Sequence, residues 1–321
     1  MTVPEVGVGL PVLDAATART PRAFADAVRA VEAAGLDSVS VADVLVGDGT
    51  PALESITALA TAAAVTERVH LDFGVLSLPT RPTAMLAAQI QSLQHLSGNR
   101  VRLGVGIGGF PGSPFWEAVG APSTRRGALT DAALALLPGL VRGEPTVVPD
   151  RPGEPVVTLA PGAPAPPVFV GGGSAPAVFE RIVAHGDAWL PSALTTAQLA
   201  ADSARLRALA AAGGRPSPGV HIGLHAVLGE SPSSAAEREA MYAMLSEAFG
   251  MPREQVEQVT VVGGPEQVAE RLAAYAEAGA TGVGLAFDGP RFERQVEVLA
   301  RARDLLGRAR SPRSGPDRAT P

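Results

Sequence analysis

Short apolar, β-branched runs alternate with helical stretches along almost the whole chain. No other feature constrains the fold as much. The strand-like runs are Val6–Val12, Ser38–Asp43, Val69–Leu76, Val101–Ile107, Val168–Val170, Ala188–Leu190, Val220–Leu228 and Gly282–Phe287. They are short, mostly apolar and rich in β-branched residues, as strands covered on both faces should be. Between them lie Phe24–Ala34, opened by Thr20-Pro21 and stopped at Gly35, then Ala52–Val65, and Thr83–Leu96, which ends at Ser97-Gly98. Thr130–Val141, stopped by Gly143, Ala175–Ala184, Thr196–Ala212, Pro265–Ala278 and Arg291–Leu306 complete the helical set. Eight βα units in succession predict an α/β fold, a TIM (β/α)8 barrel with loop insertions. A doubly wound sheet in two halves is the competing arrangement.

The 321 residues suit one barrel, expected over residues 1–307. Three segments interrupt the alternation and read as insertions. Residues 109–126 are rich in Gly and Pro. Residues 143–166 hold two strand-like runs, Thr146–Val148 and Val156–Leu159, and read as a hairpin. Residues 229–262 carry a helix of their own, Ser233–Phe249. Insertions of this length in a compact barrel commonly act as lids or interface elements. Residues 308–321 are polar with Pro and Gly and are expected to be a disordered tail.

Composition removes several function classes. Net charge is −6 with no basic block before the extreme C-terminus, so no nucleic-acid partner is expected. Cysteine is absent, which excludes disulfides, thiolate metal sites and thiol nucleophiles. Lysine is absent too, which excludes Schiff-base chemistry and makes arginine the only strong side-chain cation. No apolar run is long enough for a bilayer, and the first residues lead straight into a strand-like run without a leader pattern. A cytoplasmic protein without a membrane partner is the expectation.

Several positions could carry chemistry. Strand Val168–Val170 runs into Gly171, Gly172 and Gly173, and Ser174-Ala-Pro then opens a helix. Glycines there let backbone N–H groups approach an anion, and the helix N-terminus adds partial positive charge, so the segment reads as a phosphate cradle. A tight turn without a ligand is the competing reading. Strand Val101–Ile107 ends Gly104-Val-Gly106-Ile-Gly108-Gly109. Glycines on one face either leave room for a flat molecule in the barrel mouth or relieve crowding between barrel layers. Asp43 ends its strand at the catalytic side of such a barrel, where it could bind substrate, bond a cofactor or cap the following loop.

Six segments in order resemble the luciferase-like monooxygenase family, which comprises FMN-dependent monooxygenases and coenzyme F420-dependent oxidoreductases. They are VGVGLPV, GLDSVSVAD, FGVLSLPTRPTAMLAAQIQSLQHLSGNRVRLGVGIG, PPVFVGGGS, GDAWLP and VGGPEQVAERLAAYAEAGATGVGL, and together they cover most of the chain. The resemblance implies a modified TIM barrel that binds F420 or FMN and acts on a small organic substrate. With FMN the family pattern is oxygen activation and monooxygenation; with F420 it is two-electron reduction or dehydrogenation. The resemblance implies a bulge with a non-prolyl cis peptide at Gly74-Val75, supporting the ring from behind. It places the cofactor phosphate at Gly172, Gly173 and Ser174 and the ring near Gly106 and Gly108. Arg125 and Arg126 stand where family members often carry an arginine, and either clamp a phosphate or form a solvated pair at a helix start. A homodimer packed through barrel helices is implied as well.

The chain also departs from the family pattern. Many members carry a His after the acidic residue at the second strand; here the text is Ala42-Asp43-Val44. Some F420-dependent members carry a Glu where Gly108-Gly109 stands. Asp43 therefore remains the catalytic candidate, and a barrel that binds its cofactor but turns over poorly is the alternative. His221 and His225 share one strand face, but no carboxylate pattern for a metal accompanies them. A contact from His225 to cofactor or substrate competes with core packing.

Overall fold

A computed structural model describes residues 3–11, 20, 22–149 and 152–310. Eight parallel strand positions close into a ring. They are β1 (Glu5–Gly9), β2 (Ser38–Val41), the broken strand β3 (His70–Phe73) with β4 (Leu76–Ser77), and β5 (Val101–Gly106). After a small hairpin of β6 (Thr146–Val147) and β7 (Val156–Val157) come β8 (Val168–Gly171), β9 (Ala188–Leu190) and β10 (Gly219–Leu228). The short β11 (Thr260–Gly263) precedes β12 (Gly282–Phe287), and β12 pairs with β1 in register Val6↔Val283. The ring shuts where β9 meets β10 at Ala188↔Gly219. This is the barrel the alternation predicts, not the open doubly wound sheet.

Helices α1 (Ala23–Ala33), α2 (Ser55–Val65), α3 (Thr83–Ser97), α4 (Pro114–Ala118), α5 (Arg126–Arg142), α6 (Pro176–His185) and α7 (Thr196–Ala212) follow the strands. Then come α8 (Pro232–Phe249), α9 (Arg253–Gln258), α10 (Pro265–Glu277) and α11 (Phe292–Arg310). The main apolar core lies between ring and helices: Val8, Val39, Leu71, Leu103, Val170, Ile222 and Leu285 point outward from the strands into it. Alternate residues on the same strands point into the barrel. Among the described residues no helix is long and apolar enough to cross a membrane.

Four local differences from the sequence reading have physical causes. The run Val69–Leu76 splits into β3 and β4 at Gly74-Val75. The tetrapeptide β11, hidden in a long polar stretch, pairs with the upper half of β10 (Ala226↔Val261). That edge is open because β9 is three residues long and β10 is ten. Helix α9 precedes β11 and is too short to show a period. Helix α11 runs through Arg310, so residues 308–310 continue a helix and do not belong to a tail. Val12, Pro21 and residues 311–321 of the expected tail lie outside the described residues.

Candidate active site at the barrel mouth

The interior of the ring changes character along its axis. At the N-terminal end, Arg102 on β5 grips Asp72 on β3 with Nε–Oδ1 and Nη2–Oδ2 contacts of 2.6 and 2.5 Å, and donates to Glu5 on β1. Phe169 on β8 lies 5.3 Å from the guanidinium carbon and 4.6 Å from the His221 ring. Burial opposes the Glu5 charge, but the Arg102 charge and hydrogen bond outweigh it and hold the carboxyl low. Burial and the Arg102 charge push the His221 imidazole down to about 4, so it is neutral near pH 7.

Toward the C-terminal mouth the interior positions become glycine. A Cβ on Gly284 would meet nothing within 4 Å, and one on Gly223, its register partner, would meet nothing closer than 3.8 Å. An open space therefore lies inside the ring, over the paired Gly223 and Gly284 of β10 and β12.

The break in the third strand shapes another wall. The Gly74–Val75 peptide is cis, as the resemblance implies. Val75 is carried over β5 and β8. A Cβ on Gly106 would lie 2.8 Å from Val75 Cγ2, and one on Gly171 would lie 2.9 Å from Val75 Cγ1. On Gly104 it would meet the Phe73 carbonyl oxygen at 1.7 Å. The alternating glycines thus admit the crossing chain and the Val75 side chain. They do not themselves leave open room, and this corrects the expectation of a flat ring lying directly on them. Gly108, at φ +83°, receives the indole of Trp116, which would come within 2.3 Å of a Cβ there.

Asp43 is 4% exposed in its side chain and saturated. Its two oxygens accept from Arg81 at 2.6 and 2.7 Å, from Ser55 Oγ at 3.1 Å and from the Ser77 N–H at 3.0 Å. Burial works against the Arg81 charge, but Asp43 and Glu54 outweigh it and raise its pKa. The node ties the end of β2 and the start of α2 to β4, next to the cis peptide. A cavity of about 240 Å³ beside it is walled by Leu45, Ile56, Arg81, Met85 and Phe115.

The two arginines at the start of α5 separate. Arg126 donates to the Gly108 and Ile107 carbonyl oxygens and faces the Trp116 ring at 6.0 Å. It braces the end of β5. Arg125, at φ +54°, is exposed and makes no side-chain hydrogen bond among the described residues.

At the end of β8, Gly172 (φ +137°) turns the chain, and its carbonyl accepts from Trp189 Nε1 at 2.9 Å. Gly173 is exposed, nothing lies within 4 Å of its Cβ position, and neither the Gly173 nor the Ser174 N–H has an acceptor among the described residues. Arg205 on α7 donates to the Ser174 carbonyl and stacks 4.5 Å over Phe179. The sequence reading missed Arg205, which is 31 residues from Ser174 and carries no motif. It also missed Asp288, which meets His225 Nδ1 at 2.9 Å from 63 residues away. Among the described residues no group of three or more metal-ligating side chains converges.

The family model for luciferase-like monooxygenases matches residues 8–282. An uncharacterised protein of Mycobacterium tuberculosis is 34% identical over 175 residues, which cover 53% of this chain and 59% of that protein. The chain thus spans about three fifths of the length of the first curated relatives it matches. An F420-dependent secondary alcohol dehydrogenase, solved with an F420–acetone adduct, superposes with a TM-score of 0.78 at 15% identity, over 95% of this chain and 99% of that one. The oxygenating constituent of 3,6-diketocamphane monooxygenase from Pseudomonas putida, solved with FMN, gives 0.72 at 16% identity, over 94% and 96%.

Proposed function

The chain belongs to the luciferase-like monooxygenase family, and from that premise we propose a flavin-type oxidoreductase that uses coenzyme F420 or FMN on a small organic substrate. The observation that carries this reading is the placement of Val75 as a shelf over Gly106 and Gly171, beside an open, glycine-lined mouth. The residues present fit a phosphate joined to a flat ring. Gly173 and Ser174 offer two backbone N–H groups without acceptors among the described residues, and a hydroxyl, just ahead of the α6 N-terminus at Pro176. When bound, the coenzyme supplies two-electron chemistry, with oxygen activation in the case of FMN.

In this reading Gly172 turns the chain so that Gly173 and Ser174 hold the phosphate, with Arg205 as the nearest cation fixed there. Arg125 is the freer cation at the α5 start. Arg126 and Gly108 keep the end of β5 in place against Trp116. Asp43 positions the shelf through the Ser77 N–H and Arg81. A homodimer in the cytoplasm belongs to the same reading. The second reading, a barrel that binds its cofactor with little turnover, is favoured by one observation: every Asp43 oxygen is already taken.

Fluorescence titration of the purified protein with FMN and with F420, each oxidised and reduced, tests the proposal. Saturable binding of one that weakens in Ser174→Ala and Val75→Gly is expected. Binding of neither overturns it. Binding without oxidation or reduction of any substrate across a broad panel favours the second reading.

A further inference from the structure

His225 and Asp288 form a pair that takes part in neither the Gly173–Ser174 cradle nor the Val75 shelf. The interior face of β10 carries His221, Gly223 and His225, while Val220, Ile222, Leu224 and Ala226 point outward into the apolar core. His221 marks that face as internal, because it lies against Phe169 inside the ring. Four residues of strand raise His225 about 13 Å above it, to the mouth. Asp288 follows β12 directly, and its own N–H donates to the Ala226 carbonyl at 2.9 Å, so both partners are fixed to neighbouring barrel strands.

The contact has a defined polarity. A carboxylate only accepts, so the proton of the neutral imidazole sits on Nδ1, directed at Asp288 Oδ2 at 2.9 Å. Nε2 is left with a free lone pair. His225 is 34% exposed and Asp288 22%, so the pair is reached from solvent although it is anchored. Below it lies the open space beside Gly223 and Gly284. Around the ring, β10 is four strand positions from β4 in either direction, so His225 stands across the mouth from Val75.

We propose that His225 is the proton-transfer residue of this mouth, acting at an alcohol or carbonyl oxygen of the substrate, with Asp288 as its positioning residue. The inference rests on the oxidoreductase reading above. In the oxidative direction the substrate O–H bond breaks and its proton passes to His225 Nε2. The adjacent C–H bond breaks and its hydrogen leaves with the bonding pair to the oxidised deazaflavin or flavin. The alcohol is oxidised by two electrons to the carbonyl compound and the carrier is reduced. The imidazolium, balanced by Asp288, then releases its proton to water. Reduction of a carbonyl runs the same steps backward, with Nε2 supplying the proton. Such positioned proton transfer contributes about 10²- to 10⁴-fold in rate.

The test has two arms. In protein labelled with ¹⁵N-histidine and free of coenzyme, the ring nitrogen shifts report the tautomer, and His225→Gln assigns the signals. The Nδ1–H form is expected in the wild type and a mixed or Nε2–H form in Asp288→Asn, whose amide can donate to Nδ1. An Nε2–H form in the wild type, or a tautomer indifferent to Asp288, overturns the proposal. In the second arm, a panel of primary and secondary alcohols, aldehydes and ketones is assayed with whichever coenzyme binds. His225→Gln is expected to lower kcat at least about 100-fold, with coenzyme affinity unchanged and a solvent isotope effect altered. Unchanged kcat, or no turnover of any panel member by the coenzyme-loaded wild type, overturns the alcohol–carbonyl assignment. A wild type that binds neither coenzyme overturns the oxidoreductase reading instead, and the tautomer result separates the two failures.

Discussion

The floor and the mouth of this barrel are built on the same strands with the same alternation, yet they obey opposite rules. On the floor, Arg102 is 7% exposed in its side chain and satisfied by Asp72 and Glu5, with Phe169 and His221 closing the gap. The buried Arg102 charge is matched bond for bond there. At the mouth, Gly223 and Gly284 leave space, and among the described residues the Gly173 and Ser174 N–H groups lack acceptors and His225 keeps one free nitrogen. The comparison teaches that stability and binding are separated along the strand axis: the lower ends hold the ring together, while the upper ends remain free to meet a ligand.

The largest effect that would break this contrast is on the floor. Arg102→Leu leaves the mostly buried Asp72 and the half-exposed Glu5 without their cation and should cost about 2–4 kcal/mol, read from the midpoint of urea unfolding. A loss below about 1 kcal/mol would mean that water, not the ion pairs, supports the floor.

Acid should act on the same region. Unfolded histidine takes up a proton near 6.5 but folded His221 only near about 4. Between those values the unfolded chain binds more protons, so stability is complete above pH 6.5 and falls as pH drops toward 4. The size is of the order of 3 kcal/mol. Glu5, whose carboxyl is held low, adds a loss of the same sign in stronger acid. Unfolding curves of His221→Leu should be flat across the first window, and a persistent slope would assign it to another group.

A smaller effect tests the shelf. In Gly106→Ala the new methyl must displace Val75, which should cost about 1–3 kcal/mol and weaken coenzyme binding together. Gly284→Ala, with nothing near the new methyl, should leave stability within about 0.5 kcal/mol and alter only ligand binding. Equal stability losses in the two variants would show that the mouth is packed as tightly as the shelf. The smallest expected effect is Ser174→Ala, with a loss of about 0.5–1.5 kcal/mol of coenzyme affinity, roughly two- to tenfold, at unchanged unfolding midpoint.

Much of this architecture is legible in the amino-acid order because it depends on local rules. Val168–Val170 followed by Gly171–Gly173 and Pro176 specifies strand, turn and helix start within a dozen residues. The hairpin at Thr146–Val147 and Val156–Val157 reads the same way. Where local rules give out, the reading fails. Residues Thr260–Gly263 form a strand only because β9 stops early and exposes an edge of β10. Arg126 looks like a phosphate ligand beside Arg125, but closure of the ring brings two carbonyl oxygens to it. Asp43 looks free at a strand end until Arg81 arrives from 38 residues away.

By itself, the amino-acid order determined the number and sequence of βα units, the absence of thiol and lysine chemistry, and the glycines that end the strands. Periodicity, turn preference and side-chain inventory are properties of neighbours along the chain. Only the tertiary structure decided what the glycines admit, which arginine holds a carbonyl and which stays free, and that His225 faces Asp288. The arginine and histidine contacts join residues 18 and 63 positions apart, and Val75 meets Gly171 from 96 positions away (171 − 75), proximities that exist only once the ring has closed.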